Sequence, residues 1–121
     1  FPGGVVESSD SDLQTTAIRE MIEETGYEPT EDSKCRLLGS SHPNPALQDN
    51  RVHSLIIRGV QKTRAQSLDP NEDIEVIELS LDEFITWVQS GKLSHALMLV
   101  SLFHLLMGSK NAKESLVQEL K

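Results

Sequence analysis

The stretch that decides the fold is "REMIEETG", residues Arg19–Gly26, where three glutamates fall within five residues and a glycine follows. At about 100° per residue around a helix axis, Glu20, Glu23 and Glu24 share an arc of roughly 100°. The apolar residues of the segment lie on a separate face, which predicts that they are buried. The three glutamates, called the acidic ridge below, therefore form one polar edge of an amphipathic helix.

The acidic ridge has two interpretations. Like charges three and four residues apart destabilise a helix by some tenths of a kcal/mol per pair, and a solvated acidic face is the usual meaning of such a run. A divalent cation over that face would make the arrangement favourable. Mg²⁺ prefers oxygen ligands and is usually held by a few carboxylates together with substrate phosphates. The ridge alone leaves both interpretations open.

Flanking residues predict that the ridge lies on a helix over residues 12–25. Ser11 and Gln14 have the spacing of a capping box, and Gly26 is placed to end the helix in the left-handed conformation. The remaining predicted elements are strands at 35–40, 51–60 and 74–79, loops at 41–50 and 67–73, a helix opened by a Ser80–Glu83 capping box and ended by Gly91, a helix over 94–107, and a helical tail from residue 111. Because strands and helices alternate, the predicted class is α/β or α+β.

Composition narrows the class of protein. The 121 residues suffice for a single domain, 1–121, and the net charge of −8 argues against a surface that binds bulk nucleic acid. One small phosphorylated ligand is still compatible, because a bound cation reverses the local charge. Cys35 is the one cysteine, so a reducing cytoplasm is the default expectation. The apolar stretch 96–107 is too short to span a bilayer, so no membrane partner is expected.

With its flanking residues the ridge resembles the signature of the Nudix hydrolases: glycine, five residues, glutamate, seven residues, then Arg-Glu-apolar-any-Glu-Glu-any-Gly-apolar. The matching residues are Arg19, Glu20, Glu23, Glu24 and Gly26. The match departs at Asp10, which stands where the signature has glutamate and is separated from Arg19 by eight residues instead of seven. The resembling segment covers residues 1–27. The opening "FPGGVV" reads as the end of a strand and a turn, so we expect the C-terminal part of a larger domain.

The resemblance implies a Nudix fold, a mixed sheet between helices, here without its N-terminal strands. It implies that the ridge binds Mg²⁺, with Mn²⁺ as an alternative, and that Glu20 also orients or deprotonates water. It assigns a further metal ligand to the backbone carbonyl of Gly3, and to Arg19 the bracing of a carboxylate. The implied reaction is hydrolysis of the pyrophosphate bond of a nucleoside diphosphate linked to a group X, which gives two monophosphates.

Two later segments resemble the ADP-ribose pyrophosphatase-like members. "SSHPNPALQDNRVHSLII" places Pro43 sixteen residues after Tyr27, and Arg51 is available for a phosphate, so both are candidate substrate-binding residues. The acidic loop, residues 67–73, resembles one that supplies a general base, for which Glu72 is the first choice and Asp73 the second. The alternative is a polar turn before a strand.

Three alternatives stay open. "GG…DSD…TAIRE" also resembles the coenzyme A pyrophosphatase branch, and an NADH pyrophosphatase is a related option. A non-catalytic Nudix-fold sensor that binds its ligand without cleaving it is the third. In each case the partner is a small nucleotide, and relatives are often homodimers.

Overall fold

The computed structural model describes residues 1–108 and 111. The elements in chain order are α1 (Leu13–Thr25), β1 (Tyr27–Ser41), β2 (Val52–Lys62), α2 (Leu81–Gln89) and α3 (Ala96–Met107). They fall into two compact units, residues 1–36 with 55–79, and residues 37–54 with 80–121. Apart from residue 111, the predicted helical tail lies outside the described residues. None of the described helices combines the length and hydropathy needed to cross a membrane.

Helix α1 confirms the prediction for residues 12–25 to within one residue. Its N-cap, however, is Asp12 and not Ser11, so the predicted capping box is wrong. Asp12 has an extended backbone, and its Oδ1 accepts the N–H of Thr15 at 2.8 Å. At the other end Gly26 is left-handed, with φ of 73°, and donates its N–H to Ile22. Aspartate and serine are about equally good N-caps. Asp12 is the residue directly before the first helical residue, Leu13, and it therefore takes the cap position.

The two strands form an antiparallel pair. Glu28, near the start of β1, accepts a hydrogen bond from Thr63, just beyond the end of β2, at 2.5 Å. Ser40, near the end of β1, contacts Nδ1 of His53, at the start of β2, at 2.7 Å. Strand β1 is much longer than the predicted 35–40, because residues 27–34 are polar and gave no apolar alternation. Strand β2 is close to the predicted 51–60, and the loop at 41–50 is confirmed.

The segment after β2 differs from its prediction. Residues 67–73 are a loop, as expected, but 74–79 are not a strand in the described structure. Ile74 and Val76 are half-buried while Glu75 and Ile77 are exposed, so the alternation that predicted the strand is present in the burial. A strand also requires a neighbour to complete its backbone hydrogen bonds, and among the described residues this segment has none.

The last two helices begin close to their predicted positions. The capping box of α2 is complete, since the Ser80 side chain accepts the Glu83 N–H at 3.3 Å and the Glu83 carboxylate accepts the Ser80 N–H at 2.9 Å. The helix ends at Gln89, two residues before Gly91. Helix α3 starts at Ala96, two residues later than predicted. The α/β class is thereby confirmed, with a sheet of two strands in the described residues.

We predict that Gly26→Ala destabilises the protein more than Gly91→Ala. Both glycines are left-handed, with φ of 73° and 74°. A side chain in that conformation costs about 1–2 kcal/mol. At Gly26 a Cβ would also lie 2.1 Å from the backbone oxygen of Arg64, whereas at Gly91 it would meet nothing within 4 Å. Urea unfolding of both variants measures the difference, and equal losses would contradict the close approach at Gly26.

Candidate functional site

Two residues of the acidic ridge, Glu20 and Glu24, lie against the double-glycine segment, Gly3–Gly4. The backbone N–H of Gly3 donates to Oε2 of Glu24 at 2.8 Å, and Glu24 is only 8% exposed. Gly4 lies so close to Glu20 that a Cβ there would sit 2.2 Å from its Oε1. A side chain at this position would therefore displace the Glu20 carboxylate. Glu20 and Glu24 thus face backbone, whereas the Glu23 side chain is 42% exposed, and glycine is what allows the close approach.

Glu24 is the most enclosed carboxylate of the ridge. Burial raises its pKa, the hydrogen bond from Gly3 lowers it, and the negative charges of Glu20 and Glu72 raise it again. A buried carboxylate near two others is an unfavourable arrangement unless a positive charge accompanies it. The geometry thus concentrates negative potential where the double-glycine segment meets α1.

Arg19 supplies one positive charge to this region. Its Nη1 donates to Oε1 of Glu20 at 2.8 Å and to Oε2 of Glu23 at 3.1 Å. Its Nη2 donates to Oδ2 of Asp10 and to the carbonyl of Val5, both at 3.1 Å. These contacts raise the pKa of the guanidinium, chiefly through Asp10. With its donors directed at acidic groups of its own chain, Arg19 has the position of a brace, which is the role that the resemblance gives it.

Asp10, the residue at which the sequence departs from the signature, is the partner of Arg19. Its side chain is 3% exposed and accepts from Arg19, from Thr16 Oγ1 at 2.9 Å and from the backbone N–H of Glu7 at 2.9 Å. The hydrogen bond from Arg19 is the main cause that lowers the pKa of Asp10 from 3.8 to about 2. The Asp10 N–H also donates to the Glu7 carbonyl at 3.0 Å. This turn, residues 7–10, directly precedes residues 11–18, the segment that contains the extra residue.

The acidic loop belongs to the same unit as the ridge. Its first choice of base, Glu72, closes a turn with Asp69: the Asp69 N–H donates to the Glu72 carboxylate and the Glu72 N–H to the Asp69 carbonyl, both at 2.9 Å. Glu72 and Asp73 are both exposed. The negative charge of Glu72 is one of the causes that raise the pKa of Glu24.

The donor set of the ridge fits a hard divalent cation. All three side chains offer oxygen, the ligand that Mg²⁺ prefers, and Arg19 engages one oxygen of Glu20 and one of Glu23. A carboxylate has two oxygens with about four lone-pair sites, so both groups retain capacity for a ligand. Within residues 1–108 and 111, however, no three His, Cys, Asp or Glu side chains are placed so that they could hold a metal ion together. The residues that would hold the ion are those of the ridge, with Gly3 beside them.

The two candidate substrate-binding residues lie in the other unit. Pro43 is half-buried within the loop that joins β1 to β2, and Arg51 is exposed at the end of that loop. A shallow cavity on the same loop contains neither of them; it is lined by His42, Pro45, Leu47, Gln48 and Asp49. The part of Pro43 and Arg51 in substrate binding stays a prediction.

Sequence reasoning missed two residues that organise the site. Asp10 departs from the signature in residue type and spacing, so the sequence did not predict its contact with Arg19. Gln66 gave no signal, since its contacts are to backbone carbonyls of Glu24 and Ile74. Every residue has a backbone carbonyl, so the sequence does not indicate which of them a glutamine side chain will contact.

We predict that Asp10 contributes to the loss of folding stability at low pH. Because its folded pKa of about 2 lies below 3.8, its contribution is complete above about pH 4 and is lost as the pH falls through 2. Asp10→Asn should therefore lower the melting temperature at pH 6 and flatten its decline between pH 4 and pH 2. Asp32→Asn, at an exposed strand position, is the control. A variant that keeps the steep wild-type decline would contradict the assignment.

Comparisons with known proteins agree with the geometry. The NUDIX domain model matches residues 1–99. The chain is 30% identical over 106 residues to a methanol dehydrogenase activator from Bacillus methanolicus, covering 87% of this chain and 55% of that protein. It is 27% identical over 116 residues to an ADP-ribose pyrophosphatase from Bacillus subtilis (strain 168), covering 91% and 60% respectively. The chain thus spans between 55% and 60% of the length of these curated relatives. Since the family match extends over most of the chain and includes the ridge and the double-glycine segment, the chain belongs to the NUDIX domain family.

Proposed function

We propose that the protein hydrolyses the pyrophosphate bond of a nucleoside diphosphate linked to a group X, with Mg²⁺ as cofactor and ADP-ribose or a related nucleotide sugar as substrate. The observation that carries the proposal is the position of Glu20 and Glu24 against the double-glycine segment, where the Gly3 N–H donates to the buried Glu24 carboxylate. The similarity to a protein named ADP-ribose pyrophosphatase supports the choice of substrate.

The roles of the chain's own residues follow from their positions. Glu20, Glu23 and Glu24 would hold Mg²⁺, and Gly3 lies beside Glu24 to add its carbonyl. When bound, Mg²⁺ neutralises charge on the phosphate oxygens and lowers the pKa of water. Arg19 keeps two of the ridge carboxylates in one orientation, which reduces the rearrangement needed for ligand binding.

Glu72 is the proposed general base. It is exposed, and it lies on a loop in the same unit as the ridge. As a base it would take a proton from the water that attacks phosphorus, and the bond from that phosphorus to the bridging oxygen would break. Glu20 is the second group that would orient this water. Pro43 and Arg51 are the proposed contacts to the remainder of the substrate.

The proposal includes a cytoplasmic location, consistent with the single cysteine, and a small-molecule partner. It also includes a homodimer, which sedimentation equilibrium of the purified protein would detect.

A second candidate is regulatory. The relative from Bacillus methanolicus is named for activation of a dehydrogenase, so this protein is a candidate activator of such an enzyme. Stimulation of a methanol dehydrogenase that survives Glu24→Gln, without release of any monophosphate, would favour activation by binding alone. The three ridge carboxylates, two of them against the double-glycine segment, favour hydrolysis, because ligand binding alone has no need of three.

We expect Mg²⁺-dependent release of two monophosphates from ADP-ribose, and none with a chelator. Glu24→Gln should abolish this release while preserving the fold, since the glutamine oxygen still accepts the Gly3 N–H. Glu31→Gln, at an exposed position of β1, should behave as wild type. The assay covers ADP-ribose, nucleotide sugars, NADH, coenzyme A and nucleoside triphosphates. If folded wild-type protein hydrolysed none of them, the enzyme assignment would be wrong.

We expect Glu72→Gln to lower kcat by about 10²- to 10⁴-fold, the usual contribution of a general base. The melting temperature should change little, because Glu72 is exposed. Glu75→Gln, three residues further along and also exposed, is the matched control. Wild-type turnover by Glu72→Gln would exclude it as the base and transfer the test to Asp73.

A further inference from the structure

The chain that leaves β2 is fastened to the carboxyl end of α1. The N–H of Thr63 donates to the carbonyl of Gly26 at 3.0 Å, and the N–H of Ser67 donates to the carbonyl of Glu23 at 2.8 Å. The last four carbonyls of a helix have no partner within it. The segment 63–67 supplies partners from outside, so backbone hydrogen bonds help to hold the beginning of the acidic loop.

Gln66 adds a link made by a side chain. Its Nε2 donates to the carbonyl of Glu24 at 2.7 Å and to the carbonyl of Ile74 at 2.9 Å. A primary amide has two N–H groups, so both bonds form at once. Ile74 lies just beyond the acidic loop, while Ser67 begins it. One half-buried side chain therefore fixes the far end of the loop to the same turn of α1 that holds its near end.

The link joins the two halves of the proposed site. Glu24 contributes its carboxylate to the ridge, and its backbone carbonyl accepts a hydrogen bond from Gln66. The acidic loop is therefore attached directly to a residue of the ridge. Between the two fixed ends, the Asp69–Glu72 turn is closed by its own pair of 2.9 Å hydrogen bonds. A loop fixed at both ends and closed in the middle has little freedom to change the distance from Glu72 to the ridge.

We infer that Gln66 is a positioning residue, which sets the distance between Glu72 and the carboxylates of α1 through its two hydrogen bonds to backbone carbonyls. This inference rests on the proposed function. Gln66 does not touch the substrate; it acts through Glu72. Its removal should therefore slow the chemical step and leave substrate affinity nearly intact.

The test compares Gln66→Met, which keeps the length of the side chain and removes both donors, with Gln66→Lys, which restores donors at a similar reach. Gln61→Met, at an exposed position of β2, is the matched control. We expect Gln66→Met to lower kcat by about 10- to 100-fold, the usual effect of losing a supporting contact. KM should stay near the wild-type value, Gln66→Lys should recover part of the loss, and Gln61→Met should match wild type.

A double-mutant cycle separates positioning from general loss of stability. In the Glu72→Gln background, Gln66→Met should cost almost nothing further, because the group that it positions is already inactive. An equal loss in both backgrounds would overturn the inference, as would wild-type kcat for Gln66→Met when the wild-type protein is active.

Hydrogen exchange gives a readout without substrate or metal. The Glu72 N–H is protected by the Asp69 carbonyl, and we expect Gln66→Met to speed its exchange while the amides in the middle of α1 stay protected. Unchanged exchange at Glu72 would overturn the inference whatever the activity. Wild-type protein that hydrolyses nothing would instead contradict the proposed function, so the two failures are distinguishable.

Discussion

The structure of the site depends on one guanidinium among carboxylates. Helix α1 has no other basic residue, and its three ridge glutamates would repel one another without Arg19. By contacting Glu20 and Glu23 from α1 and Asp10 from the preceding turn, Arg19 offsets this repulsion with groups of the chain itself. Arginine stays charged throughout the accessible pH range, so any loss of these ion pairs in acid comes from protonation of the carboxylates.

Helix α1 serves the site with two different sets of groups. Its side chains form the ridge, and its unpaired carboxyl-terminal carbonyls receive the segment that carries the acidic loop. Glu24 belongs to both sets, with its carboxylate on Gly3 and its carbonyl on Gln66. The double-glycine segment and the acidic loop, separated by about half the chain, thus take their positions from the same helical turn.

Local features were predictable from the sequence, and features that depend on a spatial neighbour were not. Helix α1, the left-handed Gly26 and the capping box at Ser80 each follow from residues within one or two turns. The strand predicted at 74–79 failed because alternation describes burial and does not supply a neighbouring strand. The bracing role of Asp10 and the two contacts of Gln66 require the folded path of the chain. The ridge itself was predictable because helical spacing alone brings its members together.

The anchorage of the acidic loop by main-chain groups has a consequence for how this segment diverges among relatives. Thr63 and Ser67 hold the helix end through their N–H groups, which every amino acid except proline provides. Substitutions at these two positions can accumulate without moving the loop, whereas a proline or a change in the length of the connection would displace it. Related chains should therefore preserve the number of residues between β2 and the loop more strictly than their identity.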